Sequence, residues 1–260
     1  MNGNRQIALE SRLSQCENII TLGVKPNLED YSSEAMALIR NSKKIYYPSS
    51  FHAELFHAAG KETFPSPHNY WFAQDKIKQT AIFKLLDIPH PRTRVYYGKH
   101  QKSSIFKRFK FPFIAKIPRG SAMGRGVFLI QNQTDYHHYL SLDTPAYIQE
   151  YLPLNRDIRV VVIGREVAHA YWRIAADGEF RSNVAAGASI SLEPVPSEAR
   201  ALALHTAKAC HWNDVGMDIC SHNGKLYVLE ANMKYGKEGF RAAGMDYAEM
   251  MAQKIATGAI

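Results

Sequence analysis

Hydrophobic and polar positions alternate most sharply along residues 215–232, VGMDICSHNGKLYVLEAN. A period of two predicts two strands meeting at a tight turn, with Asp218 on the first and Glu230 and Asn232 on the second. Glu230 and Asn232 are two apart and share a face. Asp218 joins them if His222-Asn223-Gly224 is a three-residue loop with Gly224 left-handed, which pairs Ser221 with Lys225 and sets Asp218 opposite Val228. A two-residue Asn-Gly turn would instead set Asp218 opposite Leu229, on the other face. Carboxylates within apolar strands repel each other and cost several kcal/mol to desolvate. Either a divalent cation neutralises them, in which case all-oxygen donors suit magnesium or manganese rather than zinc, or the face is solvated.

The remaining pattern is read from the N-terminus. Residues 1–15 are polar and predict a loose or helical segment. A strand over 18–22, a helix capped by Ser33 and a strand over 44–47 stopped by Pro48 make a short β-α-β unit without a glycine-rich dinucleotide fingerprint. Pro65 and Pro67 mark a linker, and Phe72, Ile77, Ala81 and Leu85 predict one helix over 71–86. Lys76 sits in that helix, where the commoner role is a snorkelling surface lysine. Residues 92–110 are basic with interleaved aromatics, a pattern that suits single-stranded nucleic acid or an exposed strand edge followed by a basic helix; protective edge lysines favour the second.

Strands over 111–117 and 127–130 flank a loop holding Gly120, Gly124 and Gly126. Glycines let backbone N–H groups approach phosphate oxygens, Ser121 and Arg125 add donors, and Lys116 stands at the base, so the loop predicts an anion-binding flap. Thr134 caps a helix over 135–142, and strands follow over 147–152, 157–163 and 166–174. Asp177-Gly178 turns the chain into a strand carrying Arg181 and Asn183 on one face. Ser197 caps a helix to Cys210, and a helix over 246–255 closes the chain.

Bulk properties narrow the classes. A chain of 260 residues with 46% hydrophobic and 22% charged positions fits one large domain or two to three small ones. The net charge of +8 calls for an anionic partner: nucleotide, acidic metabolite or nucleic acid. Cys16, Cys210 and Cys220 form no CxxC, which suits a reducing cytosol. The first residues lack a signal-peptide core and no apolar run reaches membrane-span length, so a cytoplasmic protein is expected.

Taken in order, Lys76, Lys116 before the Gly-rich flap, Gln149-Glu150-Tyr151-Leu152, Asp157-Ile158-Arg159, Gly178-Glu179-Phe180-Arg181-Ser182-Asn183 and Asp218…Glu230-x-Asn232 resemble the ATP-grasp fold, specifically its RimK-like branch of carboxylate–amine ligases. The resemblance spans about residues 72–255. It implies an α+β chain: a short N-terminal unit over 1–71, a small subdomain with the flap over 72–145, and a large subdomain with the metal site over 146–260, the last two clasping ATP. By this resemblance Lys76, Lys116, Ser121 and Gly124 contact phosphates. Gln149, Glu150, Tyr151 and Leu152 hold adenine, and Asp157 lies near ribose. Asp218, Glu230 and Asn232 ligate two magnesium ions, or manganese. Arg181 and Asn183 approach the transferring phosphoryl group, and Arg159 and Arg173 approach the anionic substrate. Three departures stand out: the flap is one residue longer than the usual spacing, Met233-Lys234-Tyr235-Gly236 replaces the frequent Ser-Pro-Gly, and the N-terminal unit over 1–71 is short for the family.

The implied chemistry joins a small-molecule or peptide carboxylate to an amino-acid-like amine through an acyl phosphate, with ATP giving ADP and phosphate. Repulsion between an anionic nucleophile and a phosphate costs roughly 4 kcal/mol per charge pair at 4 Å in an effective dielectric of 20. Fixed cations and metal ions remove that penalty, and a flap shields the labile intermediate from water. An ATP-binding regulator without ligase chemistry is the alternative; nucleic acid and membrane partners are disfavoured, and a homo-oligomer is compatible with the sequence.

Overall fold

The structure, a computed structural model, describes residues 5–120, 126–142, 145–179 and 187–260. β1 (Gln6–Ala8), β2 (Ile19–Thr21), β3 (Lys44–Tyr46) and β4 (Glu62–Phe64) pair in parallel in the order β2-β1-β3-β4, with α1 (Ser33–Asn41) and α2 (Ser50–Ala58) as connections. β1 lies in the stretch expected to be loose or helical. Its polar flanks hide a short apolar core, Ile7-Ala8-Leu9, that is buried in the unit. The cap of α1 is Ser32, whose hydroxyl accepts from the Ala35 N–H, not Ser33.

The single helix expected over 71–86 is two. α3 (Pro67–Phe72) stops at Ala73, Gln74 takes a left-handed φ of 55°, and Asp75 caps α4 (Lys76–Leu85) by accepting from the Lys78 N–H. A side chain that bonds its own downstream backbone favours a cap over a continuous helix. The break makes Lys76 the first residue of α4, and its N–H donates to the Pro118 carbonyl at 2.9 Å.

β5 (Thr93–Tyr96), β6 (Phe113–Lys116), β7 (Val127–Ile130) and β8 (Ala146–Glu150) form an antiparallel sheet in the order β5-β8-β6-β7. β5 is an edge strand followed by basic α5 (Gly98–Lys102), as the strand-edge alternative predicts. α6 (Gln133–Leu140), capped by Asn132 rather than Thr134, buries Tyr136 and Tyr139 against Phe113, Ala115, Ile130 and Ile148. Alternation then turns Lys116, Tyr147 and Gln149 to the opposite face.

The third sheet is antiparallel, in the order β11-β10-β9-β12-β13: β9 (Arg156–Ile163), β10 (Glu166–Ile174), β11 (Ser189–Ser191), β12 (Asp214–His222) and β13 (Lys225–Asn232). One face carries Ile158, Val160, Met217, Ile219 and Val228, covered by α7 (Ser197–Ala209) and by Phe83 of α4. The residue capping α7 is Pro196, not Ser197. α8 (Glu238–Ala242) and α9 (Tyr247–Ala256), the latter capped by Asp246, pack with Val161, Ile163 and the N-terminal unit on the other face. The Gln79 amide pairs with both backbone groups of Ala231, at 2.8 and 3.1 Å, so α4 covers the edge presented by β13. α4 reaches the smaller sheet as well, where the Thr80 and Tyr147 hydroxyls meet at 2.6 Å.

The β12–β13 hairpin closes with two residues, not three. His222 pairs with Lys225, and Asn223 and Gly224 have φ of 50° and 72°. A regular ladder from that turn would set Asp218 against Leu229. Instead the register shifts: Ile219 pairs with Val228, and Asp218 pairs with Glu230, leaving Leu229 as a bulge. The bulge lets Leu226 and Val228, then Ala231 and Met233, all serve the same core although their spacing changes phase. Gly224→Ala forces a Cβ into the left-handed conformation and is expected to cost about 1–2 kcal/mol. Urea denaturation of the variant measures this.

Candidate functional site

The bulge decides where the oxygen donors point. Directly paired residues share a face, so Asp218 lies beside Glu230 on β13 and beside Arg159 on β9, while Asp157 on β9 lies beside Arg173 on β10. These side chains make a buried ionic lattice. Arg173 grips Asp157 through two bonds, Nε to Oδ1 at 2.7 Å and Nη2 to Oδ2 at 2.6 Å. Its Nη2 also lies 3.0 Å from Asp218 Oδ2, and Arg159 Nε donates to Asp218 Oδ1 at 2.5 Å. Asn232 Nδ2 donates to Asp218 Oδ2 at 3.3 Å. Burial alone would push the Asp218 carboxyl up, but the two guanidiniums outweigh it and hold Asp218 below the ordinary carboxylate range.

Two lysines meet this lattice from other elements. The ammonium of Lys76, at the start of α4, is 3.2 Å from Glu230 Oε1 and is nearly inaccessible to solvent. Lys116, at the end of β6, is buried opposite Tyr147 on β8, its ammonium 5.8 Å from that ring. Burial pushes Lys116 down to about 8, with Glu230 and Asp218 opposing and Lys76 adding to the shift. Neutralisation of the hairpin carboxylates, expected from a metal, is thus already begun by the protein: Arg159 and Arg173 serve Asp218, and Lys76 serves Glu230.

The expected adenine segment lies where β8 ends. Gln149 is buried and donates to Thr93 Oγ1 at 3.0 Å, on the face that carries Lys116 and Tyr147. Glu150 accepts from the Arg92 N–H at 2.6 Å and faces the Arg92 guanidinium at 3.6 Å, an engagement at the strand edge. Tyr151 and Leu152 are half-buried beyond β8, and Tyr151 lines a cavity of about 990 Å³ with Val127, Leu129, Leu154 and Glu179. Ser121, Gly124, Arg181 and Asn183 lie outside the described residues. Tyr147 was not singled out by sequence; its signal is the spacing of two from Gln149 on a strand.

The donor chemistry fits a divalent cation with a polyphosphate. Asp218, Glu230 and Asn232 supply two carboxylates and an amide on one face, a hard oxygen set. Asn232 presents Nδ2 to Asp218, and rotation of its amide would present the oxygen instead. Among the described residues, four cations, Lys76, Lys116, Arg159 and Arg173, face three carboxylates, Asp157, Asp218 and Glu230, an excess of one positive charge. A triphosphate brings more negative charge than that excess balances, and divalent cations would make up the difference. Among the described residues no cluster of three His, Cys, Asp or Glu side chains forms a metal site of its own, and no helix is long and apolar enough to cross a membrane.

Comparison with known proteins gives a consistent result. Residues 73–255 match the family model described as the RimK-like ATP-grasp domain. A protein of Pseudoalteromonas atlantica named "Probable alpha-L-glutamate ligase 2" is 31% identical over 195 residues, 72% of this chain and 64% of its own length. A "Probable alpha-L-glutamate ligase" of Nitrosococcus oceani is 30% identical over 191 residues, 70% of this chain and 63% of its own length. The chain thus spans a little under two thirds of these relatives. Among solved structures, a RimK domain ATP-grasp protein from Sphaerobacter thermophilus superposes with a TM-score of 0.70 at 17% identity, covering 96% of this chain and 98% of that one. The D-alanine–D-alanine ligase of Bacillus anthracis gives 0.67 at 13% identity, covering 97% of each. The two antiparallel sheets are therefore an ATP-grasp fold, and the parallel N-terminal sheet precedes the matched residues.

Proposed function

The chain belongs to the RimK-like ATP-grasp family, and on that premise we propose that it is an ATP-dependent carboxylate–amine ligase. A carboxylate oxygen attacks the γ-phosphorus of ATP, the bond to the β-phosphate oxygen breaks, and ADP leaves an acyl phosphate behind. The amine attacks the acyl carbon, phosphate departs with the bonding pair, and the nitrogen loses a proton to give the amide. The observation that carries this reading is the bulge at Leu229, which turns Asp218 and Glu230 to one face within reach of Lys76 and in the field of Lys116.

Lys76 and Lys116 are the phosphate contacts in this reading. Lys116 is buried and desolvated, so its charge acts in a medium where each interaction is stronger than in water. Arg159 and Arg173 hold Asp218 ionised and oriented. Asp218, Glu230 and Asn232 would hold magnesium or manganese, which neutralises phosphate oxygens during transfer. The relatives' names put glutamate forward as the amino acid joined.

A panel of carboxylate acceptors mixed with ATP, magnesium and L-glutamate is expected to yield ADP in step with amide. Formation of AMP and pyrophosphate, or ADP without amide across the panel, refutes the assignment. The pH profile gives a second check. Lys116 titrates at about 8, so its cation is lost as pH rises through that value. The kcat/KM for ATP is therefore expected to fall above about pH 8. In Lys116→Arg the guanidinium keeps its charge and that alkaline fall disappears; a wild-type profile flat to high pH contradicts the role of Lys116.

A further inference from the structure

The small sheet buries a tyrosine on its polar face. Ala146 and Ile148 of β8 belong to the apolar core under α6, and Tyr147 between them turns to the opposite face, with Lys116 and Gln149. Tyr147 is 2% exposed, yet it belongs to none of the apolar clusters of the described residues. An aliphatic side chain fills such a place with no polar atom to satisfy, whereas a buried phenol needs a partner for its hydroxyl. The partner is the Thr80 hydroxyl of α4, at 2.6 Å. Burial pushes Tyr147 up to about 12, so its hydroxyl stays protonated and adds no negative charge beside a phosphate.

Thr80 and Tyr147 are both neighbours of the phosphate lysines. Thr80 follows Lys76 by four residues, one turn of α4 along the same face. Tyr147 is the cross-strand partner of Lys116, whose ammonium stands 5.8 Å from its ring centre, within cation–π range. This strand end is pinned from the other face: Tyr139 of α6 donates its hydroxyl to the Lys116 carbonyl at 2.8 Å and accepts the Tyr147 N–H at 3.0 Å. The Lys76 N–H donates to the Pro118 carbonyl at 2.9 Å, two residues beyond Lys116. The first turn of α4 is thus bonded at both ends to the sheet that carries Lys116. At the same time α4 rests on the large sheet, through Gln79 on Ala231 and Lys76 on Glu230. A slide of the small sheet along α4 would change the spacing of the two ammonium groups, and the Thr80–Tyr147 bond resists that slide.

We propose that Tyr147 is a positioning residue for the nucleotide phosphates: its ring supports the Lys116 ammonium, and its hydroxyl, through Thr80, holds Lys76 at a fixed spacing from it. The proposal rests on the ligase reading and adds how this chain spaces its two phosphate lysines. Two cations on different elements grip a triphosphate best when their separation is set before it arrives, because binding then bears none of the cost of ordering them. Lysine stems are flexible, so that order has to come from neighbours. The adenine end does not depend on this bond, since Gln149 and Glu150 are engaged by Thr93 and Arg92.

The test is equilibrium binding of ATP and of AMP to the full chain with magnesium, by calorimetry. AMP keeps the adenine and ribose and lacks the β- and γ-phosphates. Tyr147→Phe keeps the ring and loses the hydroxyl; it is expected to weaken ATP about 10-fold and AMP less than about 2-fold. Thr80→Val is expected to do the same, and the double variant to match either single one within about 2-fold, since both remove one bond. Tyr147→Leu removes the ring as well and is expected to weaken ATP about 30-fold. Equal losses for ATP and AMP would make Tyr147 a packing residue of β8 and overturn the proposal. Unchanged ATP affinity in Tyr147→Phe, a double variant weaker by about 100-fold, or a Tyr147→Leu no weaker than Tyr147→Phe overturns it too. Amide formation is read separately. A wild type that forms amide, with ATP affinity unchanged in Tyr147→Phe, keeps the ligase and loses the positioning role; the expected ATP-selective losses without amide across the acceptor panel do the reverse.

Discussion

Arg173→Met is expected to destabilise the protein by about 3–5 kcal/mol, the cost of removing the cation from a buried ion pair. Arg173 touches both Asp157 and Asp218, so the substitution removes a cation that two acids share on the charged face of the large sheet. Arg159 reaches Asp218 but does not replace the two-bond grip on Asp157. The pH dependence identifies the cause. Asp218 is held below the ordinary carboxylate range, so its contribution is present above the unfolded pKa of about 3.9 and is lost as pH falls through its lower folded value. In the variant, protonation relieves the acids that have lost this cation. The deficit relative to wild type is therefore expected to shrink as pH falls toward that range. Urea melts at pH 7 and at progressively lower pH measure it; a deficit under about 1 kcal/mol at pH 7, typical of a surface pair, would mean that the lattice is not what orders this face.

Glu230→Gln is expected to lower ADP-forming turnover at least about 100-fold while the melting temperature moves little. Glutamine keeps the shape and one oxygen but drops the charge that faces Lys76 at 3.2 Å and that would share a divalent cation with Asp218. Its partner in the ladder is unchanged, so the hairpin is retained. Turnover with magnesium titrated over a wide range measures the effect. Full turnover in the variant would remove Glu230 from the chemistry, and with it the ligase reading.

Several of these features were legible from residue types alone. The hairpin, its three oxygen donors and Lys116 follow from alternation and from charged residues set in apolar strands, whereas Lys76, in a helix where a snorkelling surface lysine is the commoner role, gained a phosphate role only through the family resemblance. The turn was not. His222-Asn223-Gly224 allows both a two- and a three-residue loop, and the actual two-residue turn works only because Leu229 bulges. The signal for that bulge is present: Leu226 and Val228 are even-spaced, Ala231 and Met233 fall on the other phase, and all four serve one core. A strand with a phase break must bulge or turn a polar side chain inward. The pairing of Arg173 with Asp157, and of Arg159 with Asp218, depends on the registers of β9, β10 and β12, which residue types do not reveal. β1 escaped notice because three residues in a polar stretch carry too little periodicity, and only flanking parallel strands stabilise them. The helix break at Gln74 had one cue, Asp75 as a cap. The contact of Thr80 with Tyr147 had none, since the two lie 67 residues apart.

A crystal structure with a non-hydrolysable ATP analogue and magnesium tests the central claim most directly. The account predicts the triphosphate beside Lys76 and Lys116, with metal density against Asp218, Glu230 and Asn232 and adenine at the end of β8. A nucleotide bound elsewhere, with the hairpin carboxylates still closed on arginine and lysine alone, would contradict it.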